Sequence, residues 1–239
     1  MPTVPSLKKF LGAILLPVFC LSSQAAVYTL NYNSGFANSG VVPDANSSGW
    51  SDSRTVSGIS EASITDISVK LNVSGGYNGD LYAYLSYNGV LVPLLNRVGV
   101  TATGGGSSFG YSDTGFNITL SSTGTDVHFY GANSPSFNGS GQLTGTWQVD
   151  GRAIDPNSSP GDFDSASRVT FSGYNGMNPN GNWTLFFADV SAGAQSTVVS
   201  WELDITAVPE PADIALGVFG GLFLMGGIWG AVRKRLHHA

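Results

Sequence analysis

Ile67, Val69, Leu71 and Val73 alternate with Ser68, Lys70 and Asn72, and Val199, Trp201, Leu203 and Ile205 alternate with Ser200, Glu202 and Asp204. Successive side chains of an extended strand point to opposite faces, so a period of two predicts strands with one buried face. In the second segment Val199, Trp201, Leu203 and Ile205 are expected to face inward. Leu81 to Ser86 and Val90 to Leu95 are apolar runs joined through Tyr87, Asn88 and Gly89. Asn-Gly accommodates the positive φ angles of a tight hairpin. Further strands are predicted over 27–32, 116–120, 127–130, 146–149 and 183–189, and no stretch carries an amphipathic helix.

About nine short strands separated by Gly, Asn and Ser predict an all-β fold, a double-sheet β-sandwich of jelly-roll type. The 32 glycines among 239 residues argue against a helical bundle. No repeat of fixed period is present, which argues against a propeller or solenoid. Residues 101–108 and 150–167 are expected to be long surface loops. From Ala26 to Ala207 five basic side chains stand against 14 acidic ones, a formal charge of −9. A nucleic acid would be repelled by that surface, so no nucleic-acid partner is expected.

Both ends differ from the middle. Lys8-Lys9, the apolar run Phe10 to Leu21, and small residues at Ser23 and Ala25 predict a secretory signal peptide over 1–25, with cleavage at Ala25 and Ala26. Pro17 and the flanking charges disfavour a buried helix there. Cys20 is the only cysteine, so the exported domain has no disulfide and no thiolate metal site. Phe19 stands where lipoprotein processing needs a small residue.

Near the other end, Ile214 to Val232 is an uncharged run, long enough as a helix to reach across a hydrocarbon core of about 30 Å. Arg233, Lys234 and Arg235 follow at once, and the positive-inside rule then orients the C-terminus to the cytoplasm and the domain outward. Just before the run stand Val208, Pro209, Glu210 and Pro211. Over 208–239 the order of VPEP tetrapeptide, glycine-rich transmembrane helix and basic cluster resembles the PEP-CTERM sorting signal of Gram-negative bacteria. The resemblance implies recognition by an exosortase, cleavage near the Pro-Glu-Pro, temporary anchoring in the inner membrane, and delivery to the cell surface or extracellular polysaccharide. The alternative is an ordinary C-terminal anchor with a Pro-rich spacer.

Within 26–207, three motifs stand in order: Gly79-Asp80-Leu81, Gly181-Asn182-Trp183-Thr184-Leu185 ahead of Asp189, and Ser200-Trp201-Glu202-Leu203. Over 59–206 they resemble the P-domain of proprotein convertases. That resemblance implies a jelly-roll sandwich of galactose-binding-like topology, usually found beside a subtilisin-like protease. Only about 40 residues separate the signal peptide from the first P-domain-like strand, far short of a protease domain. Protease activity is therefore not carried over.

The middle section offers little catalytic chemistry. His128 is its only histidine, and it is expected to be a strand residue with a satisfied ring. No G-x-S-x-G elbow is present. Asp155, Asp162 and Asp164 cluster with Asn157 on the second long loop, and loop carboxylates suit calcium or are merely solvated. The P-domain resemblance favours Asp80 and Asp189 as a calcium pair, the only cofactor indicated; Asp80 is equally suited to closing a turn. Tyr82 and Tyr84 share one face of a strand, opposite Leu81, Ala83 and Leu85. Flat aromatics on a sheet suit sugar recognition, and packing against a neighbouring strand is the alternative. Trp183 and Trp201 are expected in the core.

The expectation is a non-catalytic, exported surface or matrix protein. Its alternatives are a carbohydrate-binding module and an accessory partner of a separate serine protease.

Overall fold

The alternating segments become the two longest strands of a two-sheet β-sandwich. A computed structural model describes residues 24–209, together with Gly220, Leu222 and Phe223, which are helical and exposed. The residues before Gln24, where a signal peptide is predicted, Glu210, Pro211, most of the apolar run and the cluster Arg233, Lys234, Arg235 lie outside the described residues. Among the described residues no helix is long and apolar enough to cross a membrane.

Nine strands follow in order: β1 (Ala26–Tyr32), β2 (Asn46–Val56), β3 (Ser63–Gly75), β4 (Leu81–Tyr87), β5 (Val90–Asn96), β6 (Phe116–Asp126), β7 (Leu143–Gln148), β8 (Gly181–Asp189) and β9 (Ser196–Val208). One sheet has the order β1-β9-β3-β6-β7 and the other β2-β8-β4-β5. Neighbours are antiparallel except β6 and β7, which run parallel. The predicted hairpin is formed: Tyr87 pairs with Val90 across Asn88 and Gly89, whose φ angles are 47° and 80°. Both are left-handed, as the turn's match to strand twist requires.

A single apolar cluster joins the inner faces. Val69, Leu71, Val73, Trp201, Leu203 and Ile205 come from one sheet, and Leu81, Ala83, Leu85, Trp183, Leu185 and Phe187 from the other, all buried. With no disulfide available, this burial and the strand ladders hold the domain together.

Four expectations are corrected. Residues 127–130 form a 3-10 turn (Val127–Ala132) rather than a strand, because the Asp126 side chain accepts from the His128 N–H and caps it. Val199 faces solvent: Asn72 pairs with Ser200 but Val73 with Val198, so Val199 is the extra residue of a β-bulge and Val198 takes the inward place. The stretch 150–167 begins in the interior, with Asp150 and Arg152 buried. It also contains a short helix, α1 (Pro160–Ser165), closed by a capping box between Ser159 and Asp162. Finally β2 was not expected as a strand at all.

Candidate functional site

The outer face of the β2-β8-β4-β5 sheet carries aromatic groups. Tyr82 and Tyr84 point away from the core while Leu81, Ala83 and Leu85 point into it, as the alternation predicts. Tyr84 stands directly opposite Phe186 of β8, and the two rings stack at 4.7 Å with an interplanar angle of 15°. Tyr82 lies 5.8 Å from Tyr84 and 6.4 Å from Phe186, so three half-buried rings form one patch. Phe186 was missed from the sequence, although its place one residue beyond the inward Leu185 puts it outside. Gly49 lets β2 approach this patch: its φ is +60°, and a Cβ there would meet the Phe187 carbonyl oxygen at 2.2 Å and the Phe186 ring at 2.6 Å.

The predicted calcium pair does come together. β8 ends at Asp189, which pairs with Leu81, and the Val190 N–H donates to the Asp80 carbonyl at 2.9 Å. Asp189 is fully buried; one carboxylate oxygen accepts from the Ser191 N–H at 3.3 Å and the other has no hydrogen-bond partner. Burial pushes its carboxyl up to about 6, and the nearby charges of Asp80 and Asp44 add to the effect. Asp80 is raised for the same reason, against the pull of Arg97, whose guanidinium stands 4.0 Å away. Calcium takes six to eight oxygens. Among the described residues no group of three or more acidic or histidine side chains is placed to hold a metal. The orphan oxygen of Asp189 would accept a cation, and Arg97 already brings positive charge to this corner. Of the loop carboxylates, Asp162 caps α1 and Asp164 accepts from Thr101 and the Ala102 N–H, so both have structural partners.

The third cluster was not foreseen. His128 is fully buried, with Nδ1 at 2.7 Å from Asp150 and Nε2 at 2.9 Å from the Val100 carbonyl. Arg152 donates to Asp150, Asp126 and the Phe163 carbonyl, and Arg168 donates to the Val149 and Asp150 carbonyls. The satisfied ring expected for His128 is present. Both its nitrogens are occupied and no water reaches them, so it offers no free base to a substrate. The only sequence signal for this network was the presence of two arginines in a chain with few cations.

No protein-family model matches the chain, and no curated protein matches it. Among solved structures, the chain is similar to the serine protease of Aeromonas sobria in complex with its chaperone, at 13% identity over 78% of this chain and 28% of that chain, with a TM-score of 0.44. It is also similar to that serine protease alone, at 13% identity over 77% of this chain and 27% of that chain, with a TM-score of 0.43. This chain therefore spans little more than a quarter of the length of either.

Proposed function

We propose that the protein is an exported, non-catalytic β-sandwich of jelly-roll, galactose-binding-like type. In this reading it is anchored temporarily in the inner membrane and sorted by an exosortase to the cell surface or extracellular polysaccharide. The observation that carries it is the junction at Val208. β9 runs to Val208, which still pairs with Ser63, and the next residue is Pro209, outside the strand. Proline has no N–H for the ladder, so pairing ends where the Pro-Glu-Pro begins. Cleavage there would leave all nine strands of the domain whole.

The test is the intact mass and C-terminal residue of protein recovered from its native host, with membrane and extracellular fractions analysed separately. The expected product in the outer fraction ends within Val208 to Pro211. Retention of Arg233 to Ala239 by every molecule, all in the inner membrane, overturns the proposal.

A carbohydrate-binding module is the second reading, supported by the aromatic patch of Tyr82, Tyr84 and Phe186 on the solvent side of its sheet. It requires saturable glycan binding that Tyr84→Ala removes while the fold persists.

A further inference from the structure

The five-stranded sheet has its own outer face, and a cleft of about 320 Å³ opens on it. Register explains its lining. Asn31 of β1 pairs with Glu202 of β9, which pairs with Lys70 of β3. One row along, Ser200 pairs with Asn72, which pairs with Asn117 of β6. These two rows lie about 7 Å apart along the strands, with neighbouring groups about 4.8 Å apart across them. All six line the cleft. The bulge at Val199 falls beside Ser200, and bulges gather where a sheet re-aims side chains next to a site.

Five of the six polar groups of this cleft are unengaged, unlike those around them. In the adjoining row Thr29 and Ser68 both donate to Asp204, and within the cleft Asn72 accepts from Gln142. By contrast, among the described residues no side-chain hydrogen bond engages Asn31, Lys70, Asn117, Ser200 or Glu202, and no ion pair engages Lys70 or Glu202. The set is balanced in charge and function. Amides donate and accept, Lys70 only donates, and ionised Glu202 only accepts.

We propose that this cleft binds an uncharged saccharide chain. A hydroxyl both donates and accepts, and a sugar presents several in a row, matching a grid of amides flanked by one donor and one acceptor. A polyanion would meet Glu202 and a domain of net charge −9. An apolar ligand would strip water from unpaired amides with no return. The volume lies at the low end for small-molecule sites and holds roughly one or two sugar rings, with the open face letting a longer chain run through. This inference does not rest on the sorting route, and it places recognition on the sheet opposite the aromatic patch.

The experiment probes the full-length protein with an array of neutral hexose oligomers, then measures affinity for the best binder by calorimetry. Three variants are compared with the wild type: Asn117→Ala with Glu202→Ala, Lys70→Ala, and Tyr84→Ala. The cleft variants are expected to weaken binding by about tenfold or more at unchanged melting temperature, and Tyr84→Ala separates the cleft from the aromatic patch. Loss of binding in Tyr84→Ala alone would place recognition on the aromatic patch and overturn the proposal. Binding of no neutral oligomer, or preferential binding of acidic oligosaccharides or peptides, overturns it equally.

Discussion

Nδ1 of His128 lies 2.7 Å from Oδ2 of Asp150, and neither side chain is exposed to solvent. The pair ties the turn after β6 to the segment after β7, and Arg152 closes it on the other carboxylate oxygen at 3.1 Å. Burial alone would raise the Asp150 carboxyl, but the His128 contact and then Arg152 outweigh it and hold it below the usual carboxylate range. Asp150→Asn would remove the buried carboxylate that His128 and Arg152 share, leaving Arg152 with Asp126 as its one acidic partner. It is expected to cost about 3–5 kcal/mol in chemical denaturation. Because the folded-state value is depressed, the stability that Asp150 contributes is present at neutral pH. It is lost as pH falls below about 4 through the folded value, a loss the variant does not show.

Asp189 has the opposite sign. Its folded value of about 6 lies above an unfolded value of about 3.9, so the native state holds a proton that the unfolded chain releases between them. That contribution is full below about pH 4 and lost as pH rises through 6. Asp189→Asn is expected to stabilise by about 1–2 kcal/mol at neutral pH and by nothing near pH 4, read from paired denaturation curves. Calcium is expected to leave the melting temperature of the wild type unchanged, since Arg97 stands at the same corner. A rise with calcium that Asp189→Asn abolishes would make the orphan oxygen a ligand.

Gly49→Ala tests the close approach of β2 to β8. The added Cβ would sit 2.2 Å from a backbone oxygen at a φ of +60°, so clash and backbone strain act together. A loss of about 2–3 kcal/mol is expected, whereas Gly58→Ala, with open space around it, is expected to lose less than half as much. Equal effects would remove the contact from the explanation.

Trp201→Phe keeps most of the apolar volume and removes the indole N–H that donates to Asp52 at 2.7 Å. Asp52 retains Arg54 at 2.8 Å, so the acid is left partly paired. The expected cost is about 1–3 kcal/mol. Restoring stability by adding Asp52→Asn would show that the unpaired charge, rather than lost packing, dominates.

The segments with strict alternation were legible because facing depends only on the local period. Tyr82 and Tyr84 point out and Leu81 and Ala83 point in for that reason. β2 was not legible because its inward positions include Asp52 and Arg54. Their cost of burial is offset by Trp201 and by one another, and Trp201 lies far along the chain. Val199 defeated the same rule that succeeded around it, since a bulge inserts one residue and flips the phase.

The sequence by itself determined the β class, the Asn88-Gly89 hairpin, the burial of Trp183 and Trp201, and the absence of disulfides from the middle section. Each follows from local spacing, turn chemistry or a count of residues. Only the tertiary structure decided that Phe186 joins Tyr84, that His128 meets Asp150, and that Asn31, Glu202 and Lys70 form one row. Those meetings are set by which strands pair and in what register. That choice minimises the free energy of the whole core at once, so it is carried by no single segment.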